Sequence, residues 1–285
     1  MLRDLGQASR LEVMGVQWSL AHPIGLPYGG AMAITPDTVA TGMADSWQHM
    51  FEVVPIGWME RRSGVVAGVS GFALPPFNSV MVESTEPDVE TFRDLLDRVA
   101  TSGLPYSVQL RPGTSTPIRE IVDAKCLVQQ ESIPLMLVED PGALSRAQQI
   151  EGLHLRQLDP VEGSIHAEIC GTVFGIPDDV LAVMFGSKVL GAPGVRVYVG
   201  EVDGVAVTTG LGTTHGALTG IFNIATPEEH RGRGYAAAVT ARIVADGMES
   251  GAQAAYLQSS PAGYHVYEGL GFQTIEHWDC WHSAT

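Results

Sequence analysis

Residues 231–236 have the types and spacing of an anion-binding loop. Their sequence, Arg-Gly-Arg-Gly-Tyr-Ala, lies between an apolar run typical of a strand (220–226) and an alanine-rich run typical of a helix (236–248). The two glycines allow a tight turn and a close approach of a ligand to the backbone. The first N–H groups of a helix have no partner within it and carry the positive end of its dipole. The segment therefore predicts a cradle for an anion, most naturally a phosphate group.

The details of this loop distinguish among phosphate ligands. A Walker loop carries a Lys-Ser/Thr pair after its last glycine, where this chain has Tyr235 and Ala236. A dinucleotide fingerprint needs three spaced glycines, and only two of them are here. Instead, Arg231, Gly234 and Ala236 match the pattern Arg/Gln-x-x-Gly-x-Gly/Ala. This pattern resembles the coenzyme A pyrophosphate loop of the GNAT N-acetyltransferase superfamily. The alternative is an arginine-glycine loop that binds nothing.

A second segment, 260–272, strengthens the resemblance. It is similar to the closing segment of the GNAT superfamily, Asn-x-x-Ala-x-x-Leu-Tyr-x-x-x-Gly-Phe, with Tyr267 at the tyrosine position. Ser260 stands where Asn is common, and Gly263 where Ala is common. The separation of the two motifs leaves room for one helix, a strand over 254–258 and a second short helix. The resemblance covers roughly residues 153–283.

The resemblance implies an α/β (α+β) fold with a mixed central sheet flanked by helices. A breaker cluster at Asp140-Pro141-Gly142 predicts a boundary, so we expect a linker over 141–152 and a catalytic GNAT domain over 153–285. Residues 1–140 resemble a GNAT half-fold without the glycine loop. We interpret them as a degenerate GNAT-like domain in tandem with the catalytic domain. An unrelated α/β domain is the alternative. We expect this half to form one wall of the acceptor cleft or to support a homodimer interface.

The resemblance also assigns roles. In the superfamily, two splayed strands expose backbone N–H groups to the acetyl carbonyl and the pantetheine amides. Tyr267 matches the general acid that protonates the departing thiolate, with packing under the last helix as the alternative. Ser260 would bond the pantetheine or a bridging water, or else cap a helix. The residues assigned to coenzyme A are Asn223, Ile224, Ala225, Thr226, Arg231, Gly232, Arg233, Gly234, Tyr235, Ala236 and Ser260.

A general base is the least defined part of the site. Many superfamily members use a Glu on the central strand, where this chain has only Asn223 and Thr226 as polar residues. His215 and His265 are other proton acceptors near neutral pH. We expect deprotonation of the amine by ordered water. No cluster has the spacing of metal ligands, so we expect a metal-free reaction with direct transfer.

Composition limits the partners and the location. The chain has 285 residues, of which 45% are hydrophobic and 17% charged, as in globular proteins with a sizeable core. A net charge of −16 with only two lysines argues against nucleic acid. No apolar run reaches the roughly 18 residues of a membrane span, and no signal-peptide core opens the chain. The free thiols Cys126, Cys170 and Cys280 are expected to be buried in a reducing cytoplasm.

The sequence therefore predicts an acetyl-CoA-dependent N-acetyltransferase that acts on a primary amine of a small molecule or peptide. A transferase for a longer acyl group, a non-catalytic acyl-CoA sensor and an interaction module remain alternatives. The identity of the acceptor stays open. Aromatic residues that could line its cleft or belong to the core are Trp18, Trp47, Trp58 and Phe77.

Overall fold

Strands β1 to β12 form one continuous sheet in the described part of the chain. The computed structural model describes residues 33–54, 57–140, 142, 144 and 149–283. The strands are β1 (Trp58–Arg62), β2 (Val65–Val69), β3 (Asn78–Val82), β4 (Ser107–Leu110), β5 (Val128–Gln129), β6 (Ile133–Val138), β7 (His154–Gln157), β8 (Val195–Val202), β9 (Val205–His215), β10 (Leu218–Ala225), β11 (Ala254–Gln258) and β12 (Gln273–His282).

Helices cover both faces of this sheet. They are α1 (Pro36–Val53), α2 (Val89–Ala100), α3 (Thr116–Asp123), α4 (Gly163–Phe174), α5 (Asp178–Met184), α6 (Ser187–Leu190), α7 (Tyr235–Glu249) and α8 (Tyr264–Gly269). Among the helices that the structure describes, none has the length and hydropathy to cross a bilayer.

The two halves of the chain repeat one pattern. In the first half, β2 pairs antiparallel with β3, β3 pairs parallel with β4, α2 connects β3 to β4, and α3 follows β4. In the second half, β9, β10, α7, β11 and α8 follow the same order with the same strand directions. The helix, the strand and the second short helix expected between the two motifs are confirmed as α7, β11 and α8.

The halves also exchange strands at the centre of the sheet. The strand order is β1-β2-β3-β4-β12-β6-β11-β10-β9-β8-β7, and β5 pairs with β12 beside β4. Strand β6 of the first half therefore lies between β11 and β12 of the second. Strand β12 in turn pairs with β4 of the first half. This exchange builds a common sheet from two halves that are far apart in sequence.

Helix α1 was not predicted from the sequence. It begins with Pro36 after a capping box in which Thr35 and Thr38 satisfy each other's backbone N–H groups. One face is fully buried against strands of both halves, among them β2, β3, β10 and β11, and Gly42 lets that face approach the side chain of Leu218 closely. The helix of the first half is thus packed directly on the strands of the second.

One of the predicted buried thiols is exposed. Cys170 and Cys280 are buried, as expected, but Cys126 is exposed. Cys126 has φ +54° in the turn after α3, where the chain leaves the helix at the surface. The expectation of three buried thiols is therefore wrong at this position.

A buried arginine joins the halves. Arg111, whose side chain is 1% exposed, donates from Nε and Nη2 to the Glu276 carboxylate at 3.0 and 2.6 Å. Its Nη1 donates to the Glu83 carbonyl oxygen at 2.7 Å and contacts Asp37 at 2.7 Å. Trp278 Nε1 also donates to Glu276, at 2.8 Å. This network connects the end of β4 to β12.

Replacing Arg111 by methionine is expected to lower the free energy of unfolding by about 3 kcal/mol, because the Glu276 carboxylate would stay buried without its cation. Urea denaturation followed by circular dichroism measures this loss. Arg119→Met is the matched control, since its pair with Asp279 on the same strand is about one-third exposed and should contribute less than about 1 kcal/mol. Equal losses in the two variants would contradict a special role for the buried network.

Candidate functional site

Strands β10 and β11 separate in the middle of the second half. Their parallel pairing is limited to Leu218–Gly220 of β10 and Ala254–Tyr256 of β11. Beyond Gly220, the pairing of β10 with β9 is irregular between Phe222 and Ala225. Asn223 lies in this bulge with φ +52°, a left-handed conformation that asparagine tolerates better than most residues. A gap with free strand edges therefore opens beside residues 221–226.

The glycine loop stands at the end of that gap. Gly232 and Gly234 have φ +74° and +80°, and Gly234 is the N-cap of α7. Arg231 Nε donates to the Thr226 carbonyl oxygen at 3.1 Å and so ties the loop to the end of β10. Within the described residues, the N–H groups of residues 232–237 have no hydrogen-bond acceptor. Residues 231–234 are exposed, so the N–H groups of residues 232–234 are open to a ligand.

The side chain of Ser260 makes a local contact. Its Oγ accepts a hydrogen bond from the Gly263 N–H at 3.3 Å, at the start of α8. The N-cap of α8 is Gly263, and no side chain caps this helix. The helix-cap role that the sequence left as an alternative is therefore wrong for Ser260, and its contact with the coenzyme stays a prediction. Ser260 is also exposed, so its hydroxyl keeps access to solvent.

Tyr267 projects from α8 with its ring packed and its hydroxyl free. The ring lies 6.0 Å from that of Phe272, and a Cβ at Gly263 would come within 2.8 Å of Tyr267 Cε2. A methyl group at position 263 would therefore require the Tyr267 ring to shift. Burial raises the pKa of Tyr267 to about 12. Its hydroxyl bonds to no residue in the described part of the chain, which leaves it available as a donor.

Neither candidate histidine lies at the gap. His265 is 87% exposed and contacts Glu268 on its own helix. His215 pairs with Leu218 at the far end of β10. Leu218 precedes Asn223 by five residues, or roughly 16 Å along a strand. Its ring contacts that of His49, and burial together with that neighbour lowers the pKa of His215. The structure therefore places neither His215 nor His265 at the bulge.

An apolar cavity of about 270 Å³ borders the bulge at Asn223. The cavity lies between α1 of the first half and β9 and β10 of the second. Trp47 and Phe77 line it, whereas Trp58 packs in the first-half core beneath the guanidinium of Arg98; Trp18 is outside the described residues. The full lining is Ser46, Trp47, Met50, Phe51, Val54, Ser70, Pro76, Phe77, Met184, Leu211, Thr213, Phe222 and Asn223.

The contribution of α1 to this cavity was not predicted from the sequence. The apolar residues Met43, Trp47, Met50, Phe51 and Val54 follow a helical period, so a signal for the helix was present. Nothing in that period indicates which strands the helix contacts, because the contact joins residues more than 150 positions apart.

The first half fills its own equivalent gap. Beyond the paired residues of β3 and β4, the Arg111 guanidinium reaches across to the Glu83 carbonyl oxygen. The segment before α2 has Pro87, which lacks an N–H, and Asp88, whose carboxylate accepts from the Thr91 N–H at 2.7 Å. That hydrogen bond lowers the pKa of Asp88. An anion would meet a carboxylate at this helix start instead of free donors.

The comparisons with known proteins agree with this architecture. The family model described as FR47-like protein matches residues 199–282. A GCN5-related N-acetyltransferase from Kribbella flavida has a TM-score of 0.65 at 17% identity, over 89% of this chain and 97% of that one. No curated protein sequence matches the chain.

Two further solved structures are similar over most of the chain. A tandem GNAT protein from the clavulanic acid biosynthesis pathway has a TM-score of 0.57 at 11% identity, covering 88% of this chain and 96% of that one. A GCN5-related N-acetyltransferase from Sphaerobacter thermophilus has a TM-score of 0.53 at 16% identity, covering 79% and 81%. The chain has the GNAT fold in its tandem form, and the resemblance that the two motifs indicated is confirmed.

Proposed function

We propose that this chain is an acyl-CoA-dependent N-acyltransferase that uses acetyl-CoA and transfers the acetyl group directly to a primary amine. The observation that carries this proposal is the open glycine loop at the end of the gap between β10 and β11. Free N–H groups at the start of α7 suit a pyrophosphate. The exposed guanidinium groups of Arg231 and Arg233 add positive charge at the same place.

In this proposal, the backbone of residues 223–226 binds the pantetheine and the acetyl group. N–H groups on the free edge of β10 would stabilise the oxyanion that forms when the amine attacks the thioester carbonyl. These donors are fixed before the reaction by the bulge at Asn223, so little reorganisation is needed. The polarity of the side chains in this stretch is then unimportant, which fits the presence of Ile224 and Ala225.

We propose Tyr267 as the general acid. The amine nitrogen forms a bond to the carbonyl carbon, and the bond from that carbon to sulfur breaks. Tyr267 Oη gives its proton to the departing thiolate, and the proton released by the nitrogen passes to water, from which Tyr267 is reprotonated. The raised pKa keeps Tyr267 protonated across the neutral range, so the acid is in its reactive form at the start of each turnover.

We assign the first half, residues 1–140, a structural part in this function. It contributes α1 to the cavity beside Asn223 and has no equivalent of the open loop among its described residues. The second half, 153–285, contributes the proposed coenzyme site. A cytoplasmic location and a homodimer remain predictions from the sequence.

Release of free thiol from acetyl-CoA tests the proposal. With a panel of primary amines, we expect thiol release that depends on the amine and a product heavier than the acceptor by one acetyl group. Hexanoyl-CoA as a competing donor distinguishes a longer acyl group. Coenzyme binding without turnover of any amine would indicate a sensor instead of an enzyme, and absence of binding would indicate an interaction module.

A further inference from the structure

The cavity beside Asn223 is placed to receive the acceptor. It touches β10 at Phe222 and Asn223, where the backbone bulges and the two strands separate. An amine bound there would lie next to the proposed position of the acetyl carbonyl. The cavity is distinct from the glycine loop, which lies beyond the end of β10. Its chemistry is therefore informative about the acceptor and not about the coenzyme.

The walls of this cavity are aromatic and aliphatic. No Asp, Glu, Lys, Arg or His is among the described residues that line it. Its hydroxyls are already engaged: Ser46 Oγ lies 3.0 Å from Thr213 Oγ1 and 2.9 Å from Tyr256 Oη, and Ser70 Oγ donates to Asn78. A second charge on the acceptor would find no oppositely charged side chain among these described residues, and burying an unpaired charge is costly.

These walls also bear on the missing general base. An ammonium ion that enters an apolar site loses hydration. This loss lowers the pKa of the ammonium ion and favours the neutral amine. The neutral form is the nucleophile. The proton therefore passes to solvent as the amine enters the apolar cavity. A carboxylate on β10 would then be unnecessary, in agreement with Asn223 at the bulge.

The volume favours a small acceptor. About 270 Å³ is at or below the lower end of the range for ligand pockets, roughly 300 Å³. A bulky polyamine sugar would exceed this space. The rings of Trp47, Phe77 and Phe222 belong to its lining, and aromatic surface suits an aromatic or branched aliphatic group.

We infer that the acceptor is a small primary amine on an aromatic or branched aliphatic body, with no second charged group. The inference rests on the proposed acetyltransferase function and specifies its substrate class. Residues of both halves select this acceptor: Trp47 and Phe77 from the first half and Met184 and Phe222 from the second.

A matched set of amines tests the inference through kcat/KM. We use 2-phenylethylamine, phenylalanine, which adds only a carboxylate, and 1,4-diaminobutane, which replaces the ring by a second amine. We expect kcat/KM for 2-phenylethylamine to be about 100-fold higher than for either of the others, because each of them would bury one unpaired charge. A tenfold difference corresponds to about 1.4 kcal/mol. Preference for phenylalanine or the diamine would overturn the inference and leave the transferase function standing.

A charge placed in the cavity sharpens the test. Met184 is half-buried at the end of α5, so Met184→Glu is expected to fold. It should lower kcat/KM for 2-phenylethylamine at least tenfold and raise that for 1,4-diaminobutane. Val161→Glu introduces the same carboxylate at a position that is 81% exposed and lies outside this cavity. It should alter kcat/KM for neither amine. Equal effects of the two variants would contradict the assignment of the cavity.

The remaining outcomes are also decisive. A preference for hexanoyl-CoA over acetyl-CoA that Met184→Glu abolishes would assign the cavity to the acyl chain and overturn the inference. Turnover of no amine, with acetyl-CoA binding intact by calorimetry, would contradict the proposed function itself, and the inference with it.

Discussion

Gly234→Asp is expected to weaken acetyl-CoA binding by at least about 100-fold, or about 2.7 kcal/mol. Gly234 has φ +80° at the N-cap of α7, a conformation that costs a residue with a side chain about 1–2 kcal/mol. A Cβ at this position would also lie 3.1 Å from Ile150 Cδ1. The new carboxylate would stand among the N–H groups that are proposed to hold the pyrophosphate and would repel it.

Calorimetric titration with acetyl-CoA measures this loss, and Gly216→Asp is the matched control. Gly216 also has a positive φ, +54°, and open space around its Cα, but it lies in the turn between β9 and β10, away from the loop. It should keep the affinity of the unmodified protein within about twofold, which is below 0.5 kcal/mol. An unchanged affinity in Gly234→Asp would remove the loop from the coenzyme site.

Tyr267→Phe is expected to lower kcat by about 100-fold, the lower end of what a general acid contributes, and to leave the affinity for acetyl-CoA nearly unchanged. The ring packing against Phe272 is kept, and the lost hydroxyl has no hydrogen bond in the described part of the chain. The melting temperature should therefore not fall. Single-turnover measurement of acetyl transfer separates the chemical step from product release.

Tyr264→Phe is the control for this substitution, because it removes a hydroxyl from the same helix. The Tyr264 hydroxyl lies 3.2 Å from Thr274 Oγ1, and its loss should affect stability slightly and kcat within about twofold, less than 0.5 kcal/mol. Full activity of Tyr267→Phe would reduce Tyr267 to a packing residue.

The pH dependence of the rate gives an independent test of Tyr267. Burial raises its pKa to about 12, so the acid stays protonated until the pH approaches that value. An alkaline decline of kcat that begins below about pH 10, the ordinary pKa of tyrosine, and that Tyr267→Phe removes would contradict this account. The folded form also holds this proton more tightly than the unfolded form, so its contribution to stability is lost as the pH rises from 10 to 12.

The local features of the site could be predicted from the sequence. The glycine loop, strand β11 and helix α7 follow from hydrophobic period and turn residues, because these signals depend on neighbours in the chain. Asn223 was predicted as a backbone contact, but its left-handed conformation was not. That conformation depends on the pairing of β10 with β9 and on its separation from β11.

The long-range features could not be predicted. The insertion of β6 between β11 and β12 depends on which strand edges are free to pair, and no local pattern encodes it. The cavity has the same origin, since Trp47 and Met184 meet only through this assembly. The partners of the Arg111 guanidinium, Asp37, Glu83 and Glu276, are likewise far from it in sequence. The exchanged strands and the cavity walls shared by the two halves could therefore be recognised only in the three-dimensional structure.

The contrast between the two halves is the central claim. The second half has free N–H groups at a glycine turn, whereas the first half has Pro87 and Asp88 at the corresponding helix start and Arg111 across the corresponding gap. Strand order and helix order are the same in both. What differs is the set of side chains at the point where two parallel strands separate.

Calorimetric titration of the unmodified protein with acetyl-CoA tests this claim most directly. We predict one site per chain, with a dissociation constant in the micromolar range, on the order of −8 kcal/mol. Two sites per chain would show that the first half binds coenzyme despite Asp88 and Arg111. Absence of binding would contradict the assignment of the glycine loop and, with it, the proposed acetyltransferase function.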